Sequence, residues 1–292
     1  MFKTSRKYIY SITLLLFSVL FLLQGCSTRK NTWTRRTYHN VRAKYNTYWN
    51  GNQAFKEGLR QIRDAHQDNF NQILPVFRLA DEAAAQNATP QMNRAIEKSA
   101  KVIQQHSMEF NGIEHNNWID NAYLLMGKSQ FYKQEYMLSM RLFNFIISKY
   151  HRRNLIYDAM VWKSRVDIMR GNYEQALNLL EEVRFFDNRK GKVSKEAQRM
   201  YPRVFAQLYI DMEQYDKAIE WLDKAAKASK NKDIRNRMLF IKAQVYQEAG
   251  KPAQAAEAYR HVSKKNPSYE ISFYSRINLA RVYQAGEDKY NI

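Results

Sequence analysis

The chain has one cysteine, Cys26, in 292 residues, so it can form no internal disulfide and no thiolate-rich zinc site. Its six histidines, His39, His66, His106, His115, His151 and His261, include no His-Glu-x-x-His pair, which removes a helical zinc-protease signature. His106 and His115 flank a loop without a carboxylate at ligand spacing, and both read as surface residues. Glycine and proline are scarce, 9 and 5 residues, so there is little turn chemistry. No sustained alternation of apolar and polar residues argues for strands either, which leaves an all-helical chain. No glycine-rich loop is present to cradle a phosphate. The string Ser27-Thr28-Arg29-Lys30 matches a Ser-x-x-Lys nucleophile but lies in a polar stretch with no pocket to desolvate the lysine. The chain reads as non-enzymatic, with no metal and no cofactor. Acidic residues are also few, 28 against 47 Lys and Arg, for a net charge of +19. That balance favours acidic partners or membrane headgroups, and no recognisable nucleic-acid module points to DNA or RNA.

What is present is a lattice of small residues. Ser139, Ala176, Ala218 and Ala255 are spaced 37, 42 and 37 residues apart. Twelve residues before each stands another small residue, Gly127, Ser164, Ala206 and Ala243, and Ala280 follows after a further 37. Tyrosines keep the same phase, with Tyr136, Tyr173 and Tyr215 before the second small position and Tyr209, Tyr246 and Tyr283 after the first. Periods of this length mean stacked helix pairs in which facing small residues let two backbones approach closely.

The fourth unit, with Ala243, Tyr246, Gly250, Ala255, Tyr259 and Pro267, resembles the tetratricopeptide repeat. The resemblance implies an all-α solenoid, a right-handed superhelix whose first helices line a concave face. On those helices Lys128, Arg165, Gln207, Gln244 and Arg281 recur at one lattice position, joined by Arg203 and Arg237. They would form a polar, partly basic stripe suited to an extended acidic partner segment. Units longer than the usual repeat call for longer turns, especially over Asp187 to Lys192. Residues 118–292 then hold four repeats and the first helix of a fifth, as in a fragment of a longer protein.

The amino terminus is organised differently. Lys3, Arg6 and Lys7 precede an apolar run of 16 residues, Tyr8 to Leu23, too short for a spanning helix and suited to an export signal. Leu23-Gln24-Gly25-Cys26 resembles the lipobox of bacterial lipoproteins, which implies cleavage after residue 25 and lipid on Cys26; the charge left is +16. Residues 26–37 read as a tether. In the module 38–117, Val41, Tyr45, Tyr48 and Trp49 share one helical face, Asn50-Gly51 reads as a turn, and Phe55, Leu59 and Ile62 belong to a second helix. Pro75 interrupts helical periodicity at Ile73 to Phe77. Thr89-Pro90 opens a further helix with Ala95, Ile96, Ser99, Val102 and Ile103 inward, and Met108 to Asn117 is a loop.

The phrases Cys26-Ser27-Thr28-Arg29-Lys30-Asn31-Thr32, Tyr45-Asn46-Thr47-Tyr48-Trp49-Asn50-Gly51, Lys56-Glu57-Gly58 and Ile73-Leu74-Pro75-Val76-Phe77 resemble the PorW/SprE lipoproteins of type IX secretion and gliding motility in Bacteroidota. That resemblance implies an outer-membrane lipoprotein facing the periplasm, with the PorK/PorN ring and the Sov translocon as partners and the lipid anchor as its membrane contact. Three rival readings remain open from the residues: a repeat lipoprotein of outer-membrane protein assembly, a nutrient-uptake lipoprotein that binds glycans, and an enzyme of envelope metabolism.

Overall fold

The computed structural model of the chain describes residues 30–79, 81–190 and 193–287, together with Thr13 and Thr28. The export-signal reading and Cys26 fall outside the described residues, apart from Thr13. Among the described residues no helix is long and apolar enough to cross a membrane.

The architecture is all-α, a row of antiparallel helix pairs. It opens with one continuous rod made of α1 (Trp33–Arg42), a π-helical turn (Ala43–Tyr48) and α2 (Trp49–Ala65). The rod packs against α3 (Glu82–His106), which in turn lies on the array. A small hairpin of β1 (Glu109–Phe110) and β2 (Ile113–Glu114) leads into that array. Four pairs follow: α4 (Ile119–Tyr132) with α5 (Tyr136–Lys149), α6 (Leu155–Met169) with α7 (Tyr173–Lys190), α8 (Lys195–Asp211) with α9 (Tyr215–Ala228), and α10 (Lys232–Glu248) with α11 (Pro252–Ser263). The last described helix is α12 (Tyr269–Glu287). First helices also touch along the row, α4 with α6, α6 with α8, and α10 with α12.

The small-residue lattice is the packing seam. Ser139, Ser164, Ala176, Ala206, Ala218, Ala243 and Ala255 are all fully buried. In the first pair Ser139 donates its hydroxyl to the Gly127 carbonyl at 2.8 Å, joining the two small positions directly. Ala280, the fifth first-helix position, is exposed. The turn inside every pair has one residue in the left-handed region at the same phase: Gln134, Gly171, Glu213 and Gly250. In each case the following N–H reaches back to a carbonyl five residues earlier, at 2.8–2.9 Å, and closes the end of the first helix.

Several local expectations are overturned. Asn50-Gly51 is helical rather than a turn, because a Cβ on Gly51 would lie 3.0 Å from the Lys98 Cβ; the glycine serves close approach of α2 to α3. Val41, Tyr45 and Trp49 face outward, 49, 67 and 52% exposed, while His39, Ala43, Ala54 and Phe55 turn inward. The α3 helix begins at Glu82, where the Asp81 carboxylate accepts the Ala84 N–H at 2.7 Å, so Pro90 sits inside it. Residues 108–117 contain the hairpin, its Asn111-Gly112 turn held in positive φ. Asp187 to Lys190 continue α7, and the Asp187 carboxylate accepts bonds from Gln198 and Tyr201 of α8 at 2.7 and 3.0 Å. His106 is buried against His39 instead of lying on the surface.

Candidate functional site

The face of the array made by the first helices is covered from α6 to α12 by the chain itself. Between α2 and α3, residues 66–79 leave helical geometry and run along the first helices from α10 and α12 back to α6. Pro75 keeps Leu74 out of the helical region, and the extended chain that results can be read by side chains from outside.

The reading is done by glutamines one repeat apart. The Gln244 Oε1 accepts the Leu74 N–H at 3.0 Å, and the Gln207 Oε1 accepts the Val76 N–H at 2.8 Å. Gln244 also donates to the Gln72 carbonyl at 2.7 Å. Leu74 and Val76, two residues apart, are thus held by glutamines one repeat apart. Main-chain groups are recognised here, and the side chains set only the fit. Arg237 adds bonds to the Pro75 carbonyl at 2.8 and 3.1 Å and a two-pronged ion pair to Asp68 at 2.5 and 2.7 Å. His66 lies 2.8 Å from the same carboxylate and 2.9 Å from the Leu79 carbonyl, joining the two ends of the segment. Burial pushes the Asp68 carboxyl up, but Arg237 and His66 outweigh it and hold it below its ordinary range.

Apolar anchors complete the grip. Phe70 stacks on Tyr274 with ring centroids 4.0 Å apart and meets Phe240 edge-on. Leu74 and Val76 are fully buried. At the far end, the guanidinium carbons of Arg165 and Arg203 lie 4.1 and 4.3 Å from the centroid of the Phe77 ring.

Of the seven stripe residues picked from the lattice, five meet on this segment: Arg165, Arg203, Gln207, Arg237 and Gln244. The other two do not. Lys128 is buried, bonded to Glu196 at 2.8 Å and lying over Trp162, while Arg281 is exposed with Asn278 as its neighbour. The occupant also differs from the acidic partner segment the stripe suggested, being the chain's own mostly apolar residues with Asp68 as the carboxylate that Arg237 grips. Asp68, Phe70 and Phe77 carry no periodic signal; the sequence traces of this segment are the proline break at Pro75 and the phrase from Ile73 to Phe77.

Among the described residues no group of three or more His, Cys, Asp or Glu side chains could hold a metal. The tetratricopeptide repeat family model matches residues 204–232, the third pair rather than the fourth, whose motif positions looked fullest. No curated protein matches the chain. A solved structure described as the apo form of RapI superposes with a TM-score of 0.56 at 13% identity, covering 98% of this chain and 80% of that one. Neither similarity indicates a catalytic family. The chain carries a tetratricopeptide repeat within a helical-repeat solenoid, an architecture suited to protein–protein interaction.

Proposed function

We propose that this protein is a lipid-anchored scaffold of the type IX secretion and gliding-motility machinery, held by Cys26 in the outer membrane and facing the periplasm. In that role it links the PorK/PorN ring to the Sov translocon through protein contacts. The observation that carries the scaffold part is the row of first helices, whose Gln207 and Gln244 hold the main chain of a non-helical segment, here residues 72–76 of the chain itself. The anchored part rests on the lipobox-like Leu23 to Cys26 and is supported by the rod that follows it. Trp33, Val41, Tyr45 and Trp49 stand exposed at steps of eight, four and four residues, among the basic Arg35, Arg42 and Lys44. Exposed aromatics among cations suit the headgroup layer of a membrane next to a tether. The type IX assignment rests on the amino-terminal phrases.

The test is the secreted-protein profile of the host after gene deletion, complemented with the natural gene or with Cys26→Ala. Periplasmic retention of type IX cargo, rescued by the natural gene and poorly by Cys26→Ala, is the expected result. Normal export in the deletion strain would overturn the type IX role and leave the repeat scaffold.

A further inference from the structure

Beside Phe77 the array leaves a cavity of about 680 Å³ between α2 and the first helices α6, α8 and α10. Its wall carries six arginines and Lys230 against two carboxylates, Glu196 and Asp233. Glu196 is already bonded to Lys128 at 2.8 Å, and Arg237 is matched by Asp68. Arg199 is also unmatched, but Arg165 and Arg203 are the two arginines with buried donors left over. Both lie against the Phe77 ring, neither has a carboxylate or hydrogen-bond partner, and Arg165 is only 4% exposed. The Arg165 Nη2 and the Arg203 Nε are buried without any acceptor. Burial, with Arg165 and Arg237 close by, lowers the Arg203 pKa to about 10.

A guanidinium is a rigid fork of N–H donors, and leaving such donors dry and unpaired is costly. Two of them on one ring, at the edge of an open cavity, offer the charge and the N–H donors that an oxyanion satisfies. The remaining wall is apolar and aromatic, with Leu59, Ile62, Tyr132, Trp162 and Met200. We infer that this cavity binds a small ligand that presents a carboxylate or phosphate to Arg165 and Arg203 and lays an apolar body against Trp162 and Tyr132. The site adjoins the glutamine ladder, sharing Val76 and Arg237 with its segment, and is independent of the secretion role. Its ligand fastens Phe77, so occupancy tightens the segment of residues 66–79 on the first helices.

The test is thermal unfolding and calorimetric titration of the full chain with sodium phosphate and with sodium benzoate, at ionic strength fixed by sodium chloride. At about a hundred times Kd the melting temperature should rise by roughly 5 °C. Arg165→Met and Arg203→Met should each weaken binding by about 10-fold or more. Arg203→Lys, which keeps the charge and loses the fork, should fold and lose most of the affinity. In chloride alone, Arg203→Met gives up its contact with Phe77 together with an unmatched buried charge, so it should melt close to the natural chain. A response to phosphate alone assigns a phosphoryl ligand, and one to benzoate alone assigns a carboxylate. Stabilisation no greater than that given by chloride, or unchanged in Arg203→Lys and Arg203→Met, overturns the site.

Discussion

Arg237 donates through both terminal guanidinium nitrogens to the carboxylate of Asp68, a residue 169 positions earlier in the chain, at 2.5 and 2.7 Å. The two side chains are 4 and 6% exposed, so the pair is buried, and it fixes the amino-terminal module to the fourth helix pair. Removing one member strands the other charge, which costs about 3–5 kcal/mol in a buried pair. Asp68→Asn and Arg237→Met should each destabilise on that scale in chemical denaturation. The double variant should lose much less than the sum, because no charge is left stranded. Either single variant should also expose residues 66–79 to limited proteolysis. Additive losses, with the segment still protected, would show that the glutamine ladder and Phe70 hold it without the ion pair.

The four turn residues in the left-handed region separate into two kinds. Gly171 and Gly250 adopt φ of 75 and 67° without strain, whereas Gln134 and Glu213 do so at 64 and 56° with a Cβ. The left-handed region costs a side-chain residue about 1–2 kcal/mol. Gly171→Ala and Gly250→Ala should therefore each destabilise by about 1 kcal/mol, although a Cβ at either site would meet nothing within 4 Å. Glu213→Gly should go the other way, by up to about 1 kcal/mol. Thermal melts of the three variants check both signs, and equal effects at glycine and glutamate positions would remove the strain argument.

Gly127 tests the packing seam. A Cβ there would lie 2.5 Å from the ring of Phe143, which is itself fully buried and cannot withdraw. Gly127→Ala should cost about 1–3 kcal/mol through overpacking, and Phe143→Leu in the same chain should restore part of it. Ser139→Ala removes the bond to the Gly127 carbonyl and should cost about 1 kcal/mol. Melting curves of the three variants suffice. No recovery in the double variant would mean that the loss comes from the helix backbone and not from the ring.

The repeat was legible because it is periodic. Gly127, Ser164, Ala206 and Ala243 must be small in every unit for the same steric reason, so the spacing alone finds them. The charged and amide residues of the concave face were found on that same lattice, but what they hold was not. The partners of Gln207, Gln244 and Arg237 lie 131 to 172 residues away in a stretch without periodicity. Asn50-Gly51 and Thr89-Pro90 misled for a related reason. Each is a turn or helix-start signal taken alone, yet Gly51 is needed for contact with Lys98, and Asp81 supplies the cap that makes Pro90 internal. Val41, Tyr45 and Trp49 have the spacing of a core stripe and lie on the outside, because Ala43, Ala54 and Phe55 form the inner face instead. Helical phase shows which residues share a face, not which face is covered.

The amino-terminal module carries its own acid sensitivity. The Nδ1 atoms of His39 and His106 are 2.9 Å apart and both rings are buried, 2 and 8% exposed, so one ring must offer a lone pair to the other. Burial, with His39 and Arg42 adding to it, pushes the His106 pKa down from 6.5 to about 4. In the unfolded chain the ring keeps its ordinary value near 6.5. Between about pH 6.5 and 4 the unfolded state therefore binds a proton that the folded state refuses. Stability should fall as pH drops through that window, by up to about 3 kcal/mol at its lower end, and should not depend on this ring above pH 7. His106→Leu removes the titration and should flatten the slope. The measurement is denaturant unfolding of the natural chain and His106→Leu at intervals from pH 4 to 7.5, read as the difference between the two curves. A difference that stays constant across the window would show that His106 is not the group being titrated.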